Sequence, residues 1–325
     1  MFSGLRARCS TRVTPMTNPD IEIIATGLRF PEGPVELPDG SIAVVEIGRG
    51  RIVRIWEGGR QDLLAVTNGG PNGMALGPDG ALYVCNNGGF TWAEEGGWLR
   101  PVGLALDYSG GKIQRVEVST SNVTTLYDRY EGRPLSGPND IVFDDHGGFY
   151  FTDTGRVREF GRDHGAVFYG KSDGTSIERV VFPLLAPNGI GLSPDLKTLY
   201  VAEMETARLW SYPIVGPGTV HKNPFPSQSG GNLVVGLGGF QRIDSLKIAA
   251  SGNICVATLV SGCITVVSPS GRILDRVKMP EIYPTNLGFA GDDLRDAIVT
   301  LSLTGRVVRL RWREKGLKLQ HQCCR

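Results

Sequence analysis

A stretch of about ten residues recurs six times along this chain, and the repetition constrains the fold more than any other feature. The clearest copies are F-P-E-G-P-V-E-L-P-D-G from Phe30, G-P-N-G-M-A-L-G-P-D-G from Gly70, G-P-N-D-I-V-F-D-D-H-G from Gly137 and A-P-N-G-I-G-L-S-P-D from Ala186. Weaker copies begin at Arg242 and Pro284. All six align on one polar position, at spacings of 40 to 67 residues, which is occupied by Glu32, Asn72, Asn139, Asn188, Asp244 and Asn286. The chain is therefore an array of six similar units.

Each copy continues as an apolar run, a Gly/Asp turn and a strand such as A-L-Y-V-C-N, G-F-Y-F-T-D or T-L-Y-V-A-E. Alternating Val, Ile, Tyr and Phe between Gly and Pro predicts β-strands, and no comparably long stretch keeps helical periodicity. The Pro-Asn-Gly motif itself is typical of a turn that precedes the strand. A small sheet cannot bury its apolar face alone, and units of about 40 to 50 residues are typical of propeller blades. The sequence predicts an all-β fold, a six-bladed β-propeller.

The composition agrees with one large β domain. The chain has 325 residues, 41% of them apolar, with 45 Gly and 20 Pro to supply turns. We expect a single propeller over residues 19–312, a disordered tail over residues 1–18 and a C-terminal tail over residues 313–325. The first residues, M-F-S-G-L-R-A-R-C-S, contain no apolar stretch of a secretory signal, and Met16 is an alternative start.

Charge and cysteine content narrow the partners. With 34 basic and 33 acidic residues, nothing indicates a nucleic-acid or anionic-membrane partner. No apolar run approaches the ~20 residues of a membrane span. Cys85, Cys255 and Cys263 lie in strand patterns and are expected to be buried thiols, although a Cys255–Cys263 bridge is an alternative. These features favour a soluble, cytoplasmic protein whose partner is a small molecule.

The repeated polar position predicts a central site. The innermost strand of each blade lines the central channel of a propeller, so one equivalent position per blade forms a ring. Asn before a strand can simply cap its own backbone, which accounts for four of the six residues. It does not account for Glu32 and Asp244, because two carboxylates near one axis repel unless a cation or proton lies between them. Converging oxygen atoms are the ligands of a hard divalent cation.

Four motifs carry a family resemblance. P-E-G-P, P-N-D, P-N-G and I-D-S, in this order between Ile21 and Leu310, resemble the gluconolactonase, regucalcin and senescence-marker-protein family. The resemblance implies one catalytic divalent ion held by Glu32, Asn188 and Asp244. It also implies that Asn139 contacts the substrate or a metal-bound water. We predict Asp140, which follows it, and Asn72 as further substrate-binding residues in the channel.

The function implied by this resemblance is metal-dependent hydrolysis of a small lactone of the sugar-acid type, in carbohydrate metabolism. Calcium is the expected ion, with Mg²⁺, Mn²⁺, Zn²⁺ and Fe²⁺ as alternatives. Asp244 is the predicted catalytic base, and a metal-bound hydroxide is the alternative. The same fold also carries other ester, phosphotriester and strictosidine-synthase-like chemistry, or serves as a non-catalytic binding scaffold.

Two insertions interrupt the repeat. The stretch from Asn87 to Tyr108 contains Trp92 and Trp98 and is either a lid or pocket wall or a surface hairpin. The stretch from Gly216 to Asn232 is rich in Pro, Ser and Gly and is predicted to be a plain loop.

Overall fold

Six antiparallel sheets surround a central channel in the computed structural model, which describes residues 20–322. Five sheets have four strands and one has five. The innermost strand of each sheet packs beside the innermost strand of the next sheet. This arrangement confirms the predicted six-bladed propeller. The predicted N-terminal tail and the alternative start at Met16 lie outside the described residues.

The strands follow the chain blade by blade. Strand β1 (Ile21–Ala25) precedes blade 1, which contains β2 (Pro31–Glu36), β3 (Ile42–Glu46), β4 (Arg51–Ile55) and β5 (Gln61–Val66), with 3-10 turns at Ile47–Arg49 and Glu57–Gly59. Blade 2 contains β6 (Pro71–Leu76), β7 (Leu82–Asn86), the inserted hairpin β8 (Phe90–Glu95) and β9 (Trp98–Leu104), then β10 (Lys112–Val116) and β11 (Val123–Tyr127), followed by the small pair β12 (Arg129–Tyr130) and β13 (Arg133–Pro134). Blade 3 contains β14 (Pro138–Phe143), β15 (Gly148–Asp153), the small pair β16 (Val157–Arg158) and β17 (Gly161–Arg162), β18 (Gly165–Lys171) and β19 (Ile177–Leu184).

The remaining blades complete the ring. Blade 4 contains β20 (Pro187–Leu192), β21 (Thr198–Glu203), β22 (Arg208–Gly216), β23 (Thr219–Val220) and β24 (Asn232–Gly236). Blade 5 contains β25 (Arg242–Ile248), β26 (Ile254–Leu259), β27 (Cys263–Val267) and β28 (Ile273–Lys278). Blade 6 contains β29 (Pro284–Ala290), β30 (Asp296–Leu301) and β31 (Arg306–Arg311).

The N-terminal strand closes the ring by completing the last blade. Strand β1 pairs antiparallel with β31, with Ile21 opposite Leu310 and Ile23 opposite Val308. The N-terminal strand is therefore the outer strand of blade 6, in the order β1-β31-β30-β29. Because both ends of the domain share one sheet, opening the ring would require breaking a complete strand pairing.

The repeated motif lies inside the inner strands, and the prediction that it forms a turn before the strand is wrong. Pro187, Asn188 and Gly189 are the first three residues of β20, and the pairing register shifts between Pro187 and Ile190. The other five inner strands, β2, β6, β14, β25 and β29, each have a register shift beside the polar position. A bulge of this kind redirects a side chain without ending the strand. The turn that follows the motif is the Gly/Asp turn of each blade.

Glycines after the polar position allow neighbouring inner strands to touch. A Cβ placed on Gly33 would lie 2.6 Å from the Asn72 carbonyl oxygen, and one on Gly73 would lie 2.5 Å from the Asn139 carbonyl oxygen. A Cβ on Gly189 would lie 2.4 Å from the Leu246 nitrogen. Side chains are excluded at these three positions by backbone, which cannot move aside as a flexible side chain can.

The C-terminal segment is packed as far as it is described, which differs from the expected tail. Gly316 N donates to Leu294 O at 2.8 Å, Leu317 N donates to Ile248 O at 2.9 Å, and Gln322 Nε2 donates to Phe289 O at 2.7 Å. The inner strands end in apolar side chains at this end of the channel, and Leu317 and the residues after it line a small cavity with them. Covering these side chains is the physical reason for the packing.

The buried cysteines match the prediction made from the strand patterns, and the helical segments are short. Cys85, Cys255 and Cys263 are buried free thiols, so the alternative Cys255–Cys263 bridge is wrong. Cys9, Cys323 and Cys324 lie outside the described residues. Within residues 20–322, the helical segments are too short to cross a membrane.

Replacement of Gly189 by Ala tests the close approach of the inner strands. We expect Gly189→Ala to lower the free energy of unfolding by about 1–3 kcal/mol, because the added methyl group meets the backbone of the next blade. Gly161→Ala is the control, since nothing lies within 4 Å of a Cβ at Gly161. Denaturant unfolding measures both variants, and equal stability of the two would contradict the packing described.

Candidate metal centre

The six repeated polar residues gather at one end of the channel. Glycines that follow them contact equivalent positions of the next strand, as Gly33 contacts Asn72 and Gly73 contacts Asn139, so neighbouring inner strands run parallel and in step. The six side chains are all buried, with exposed fractions of 3% (Glu32), 6% (Asn72), 8% (Asn139), 3% (Asn188), 8% (Asp244) and 0% (Asn286). The structure thus places every predicted ring position in one buried polar layer.

Glu32 is oriented by two hydrogen bonds. Its Oε2 atom accepts a hydrogen bond from the Gly33 nitrogen at 2.7 Å and from Asn286 Nδ2 at 2.6 Å. Asn286 itself is fixed, because its nitrogen donates to Thr300 Oγ1 at 3.0 Å and its Oδ1 accepts from the Leu287 nitrogen at 2.8 Å. Asn286 of blade 6 therefore holds the Glu32 carboxylate of blade 1 in place.

Asn188 and Asp244 meet between blades 4 and 5. The Asn188 amide partly offsets the rise in the pKa of Asp244, so the two side chains are neighbours. Ser245 Oγ donates to Asn188 Oδ1 at 3.4 Å, and Asn188 Nδ2 donates to Met204 Sδ at 3.8 Å. Thr152 Oγ1 of blade 3 donates to the Asn188 carbonyl oxygen at 2.6 Å. These contacts fix the predicted amide ligand beside the predicted catalytic carboxylate.

The two ring carboxylates destabilise each other's charge. Burial raises the pKa of Glu32 to about 7, and repulsion from Asp140 adds to the increase. Burial also raises the pKa of Asp244 well above its usual range, with the charge of Glu32 as the next cause, while Arg242 partly offsets the effect. In the absence of a cation, one proton shared between such groups is favoured over two full charges.

A divalent cation fits the chemistry of the two carboxylates, Glu32 and Asp244. Within residues 20–322 no group of three or more His, Cys, Asp or Glu is arranged to hold a metal ion. The predicted set contains two carboxylates, and its third member, Asn188, contributes an amide oxygen. Two buried carboxylates that repel each other would be balanced by two positive charges, and oxygen ligands suit a hard cation. The central ion remains a prediction.

The Asp140 carboxylate has a hydrogen bond and an ion pair within the protein. Its Oδ1 accepts a hydrogen bond from the Ile141 nitrogen at 3.0 Å, and its Oδ2 lies 3.4 Å from Lys247 Nζ. Asp140 is only 1% exposed. Both carboxylate oxygens therefore have partners already, and substrate contact by Asp140, as by Asn72 and Asn139, remains a prediction.

Sequence reasoning missed Lys247, although a signal was present. Lys247 lies within R-I-D-S-L-K-I and is the one lysine of the six inner strands. It also lines the apolar cavity at the opposite end of the channel. Its ammonium group therefore lies between the polar layer and the apolar end.

The insertion after β7 is a β-hairpin that packs on neighbouring blades beside the starts of the inner strands. Leu99 N donates to Leu303 O of blade 6 at 2.9 Å, and Glu94 forms an ion pair with Arg29 at 3.1 Å. The Trp92 ring lies 5.2 Å from the ring of Phe30, which directly precedes β2. The hairpin thus crosses from blade 2 to blades 1 and 6, and whether it serves as a lid or pocket wall remains a prediction. The second insertion is mainly loop, with β23 as its one short strand.

Fold and buried layer together define a six-bladed propeller with an acidic and amide-rich channel end. The family described as SMP-30/Gluconolactonase/LRE-like region matches residues 30–302, and the chain belongs to this family. Gluconolactonase of Zymomonas mobilis is 26% identical over 91% of this chain and 82% of the relative. Lactonase drp35 of Staphylococcus saprophyticus is 29% identical over 82% of this chain and 75% of the relative.

Solved structures share the fold. A gluconolactonase of Xanthomonas campestris has a TM-score of 0.70 at 19% identity, over 90% of this chain and 89% of that one. A calcium-binding protein, regucalcin, of Agrobacterium tumefaciens has a TM-score of 0.70 at 16% identity, over 93% of this chain and 98% of that one. At these identities the similarity establishes the propeller architecture.

Removal of Lys247 tests the ion pair in the channel. We expect Lys247→Met, measured in chelator, to lower the free energy of unfolding by about 3–5 kcal/mol, because Asp140 would be left buried without its partner. The double variant Asp140→Asn with Lys247→Met should recover most of the loss, since no unpaired charge remains. Arg115→Met, which breaks the more exposed ion pair with Asp79, is the control and should cost about 1 kcal/mol or less.

Proposed function

We propose that this chain is a metal-dependent lactonase that opens the ring of a small lactone of the sugar-acid type. The observation that carries the proposal is the position of Glu32, Asn188 and Asp244 in one buried polar layer, where the charge of Glu32 raises the pKa of Asp244. Membership of the family and the activities in the names of the two sequence relatives support it. Such a reaction belongs to carbohydrate metabolism.

The proposed ion would be held by Glu32, Asn188 and Asp244. Calcium is the first choice because all three offer oxygen ligands, and Mg²⁺, Mn²⁺, Zn²⁺ and Fe²⁺ are the alternatives. When bound, a divalent ion supplies Lewis acidity, which polarises a lactone carbonyl and stabilises the developing negative charge by several kcal/mol.

The chain's own groups supply orientation and proton transfer. Asp244 accepts the proton of the attacking water at a carboxylate oxygen, a role typically worth about 10²- to 10⁴-fold in rate. Asn286 hydrogen-bonds to Glu32, so this carboxylate does not have to reorganise during the reaction, and the neighbouring Asn188 amide favours the charged form of Asp244. Asn139 and Asn72 orient the lactone ring, and the hairpin β8–β9 limits access of bulk water from blades 1, 2 and 6.

Metal removal tests the proposal directly. Hydrolysis of D-glucono-δ-lactone should be lost in the presence of a chelator and return when one of the candidate divalent ions is added, because lactone polarisation depends on the ion. The rate is followed by acid release against the spontaneous background. Full activity in a protein shown by elemental analysis to be metal-free would contradict the proposal, as would turnover of aryl esters or organophosphates in preference to lactones.

Two substitutions separate the ligand role from the base role. Asp244→Asn keeps one oxygen ligand but cannot accept a proton at neutral pH, so kcat should fall by about 10²-fold or more while metal binding persists. Asn188→Ala removes a neutral ligand, so metal affinity should fall first and excess metal should partly restore the rate.

Calorimetric metal titration and steady-state kinetics measure both effects. Full rescue of Asp244→Asn by excess metal, with no rescue of Asn188→Ala, would show that the base lies elsewhere.

A further inference from the structure

The C-terminal strap, residues 313–322, crosses the end of the channel opposite the proposed metal site. It follows blade 6, and Leu317 N donates to Ile248 O of blade 5 at 2.9 Å. Further along, the His321 ring lies against the Phe143 ring of blade 3. The strap therefore covers the ends of inner strands from several blades while belonging to none of the six sheets.

A cavity of about 50 Å³ lies between the strap and the inner strands. Its walls are mainly apolar side chains of these strands, including Val35, Met74 and Ile141, and Leu319 of the strap lines it from the other side. Protein interiors contain few voids of this size, and atoms that line a void lose part of their attractive contacts. The strap is thus held by a small number of bonds rather than by close packing along its whole length.

His321 is the histidine of the strap, and its side chain lines this cavity. Its ring packs edge-on against Phe143, with 5.1 Å between the ring centres. Its Nε2 atom is buried and has no hydrogen-bond partner among residues 20–322. A neutral imidazole donates from one nitrogen only, whereas the protonated ring donates from both, so protonation would add to the cost of this burial.

Two carboxylates attract a positive charge on His321, but both have other partners. Asp79 follows β6 and binds Arg115 Nε at 2.6 Å. Asp144 follows β14 and accepts a hydrogen bond from the Tyr169 hydroxyl at 2.8 Å. Within the described part of the chain His321 forms no ion pair, so no carboxylate compensates its charge by direct contact.

The other charged groups around the cavity are also paired or exposed. Lys247 of β25 forms its ion pair with Asp140 on the side of the polar layer, at 3.4 Å. Glu36 of β2 accepts a hydrogen bond from the Gly291 nitrogen at 3.1 Å. On the strap itself the nearest charged residue along the described chain is Lys318, which is exposed.

We propose that the strap is a pH-sensitive plug, which closes this end of the channel while His321 is neutral and opens in mild acid when His321 is protonated. Opening gives the second ring N–H to water and uncovers the apolar ends of the inner strands. The proposal concerns the channel end opposite the proposed metal site and does not depend on lactone hydrolysis.

The direction of the pH effect follows from the change in environment. Burial lowers the pKa of His321 in the closed strap, and the attraction of Asp79 and Asp144 offsets this only in part. In the open strap the imidazole returns to its usual pKa of about 6.5. Closure is therefore fully stabilised above about pH 6.5 and is progressively weakened as the pH falls from there to the lower pKa of the closed form.

Oxidative footprinting of two methionines measures the opening. Met74 lines the cavity and is 4% exposed, whereas Met279 is 3% exposed and packs in the core between blades 5 and 6. Hydroxyl radicals should oxidise Met74 at least about 3-fold faster at pH 5.5 than at pH 7.5, because protonation shifts the strap toward the open form. Met279 should not change, since opening of the strap does not uncover it.

Two substitutions of His321 test whether this residue carries the response. His321→Gln removes the titration, and His321→Phe removes it while keeping the aromatic contact with Phe143. Neither variant should show the rise in Met74 oxidation at acid pH, and His321→Phe should keep Met74 protected at both pH values. His146→Gln is the matched control, because His146 is exposed and lies 3.5 Å from Asp145, and it should retain the wild-type response.

Hydrogen exchange gives a second measurement on the full chain. The Leu317 amide, corrected for the intrinsic pH dependence of exchange, should exchange faster in acid in the wild type and not in His321→Phe. Unchanged protection of Met74 in the wild type between pH 7.5 and 5.5 would overturn the proposal. A response that survives in His321→Phe would also overturn it, as would an equal rise at Met279, which would indicate general unfolding.

Discussion

Backbone contact between neighbouring inner strands sets the width of the channel, and the site depends on that width. Gly33, Gly73 and Gly189 each face the main chain of the next blade at a distance that no Cβ would tolerate. The six strands can therefore crowd around the axis closely enough for side chains of different blades to bond one another. Asn286 reaches Glu32 across the junction between the last and first blades at 2.6 Å for this reason. Larger residues at these glycines would widen the ring and separate its polar side chains.

Charge is the second constraint, and it is only partly balanced by the chain. The charge of Asp140 raises the pKa of both Glu32 and Asp244, and the charge of Glu32 raises that of Asp244 further. Lys247 neutralises Asp140 by direct contact. Arg242 attracts Asp244, but it also pairs with Glu205 at 2.7 Å. The excess negative charge that remains is close to that of two carboxylates, which a divalent cation would match.

The fold could be predicted because every blade repeats the same local signals, whereas contacts that occur once could not. Six copies of one motif fix the number of blades. The use of β1 to complete blade 6 and the packing of Leu317 over the channel depend on surfaces that exist only after the ring has formed. The motif P-N-G was assigned to a turn because Pro, Asn and Gly favour turns, yet contact with the next blade keeps these residues in a strand.

Membership of the polar layer was also predictable, and the partners within it were not. A repeat alignment finds Glu32 and Asn286 as equivalents but gives no indication that one holds the other, since they are 254 residues apart. Lys247, which pairs with Asp140, occurs in the inner strand of blade 5 and in no other inner strand of the described residues. Non-repeated residues are the ones that give a symmetric scaffold an asymmetric site.

Six equivalent positions are more than an ion requires, and the structure divides them by what lies beside each. Asn188 contacts Asp244, and Asn286 contacts Glu32, so each carboxylate has one amide as a neighbour. The amide oxygen of Asn139, on the opposite side of the sequence ring from Asn286, has no partner among the described residues. An amide that completes a hydrogen bond to a carboxylate stabilises its charge and position, whereas an amide left without a partner in a buried layer lowers stability. The sides of the ring that carry Glu32 and Asp244 therefore have amide neighbours that favour their charge, whereas the side that carries Asn139 has an amide oxygen left unsatisfied by the described residues.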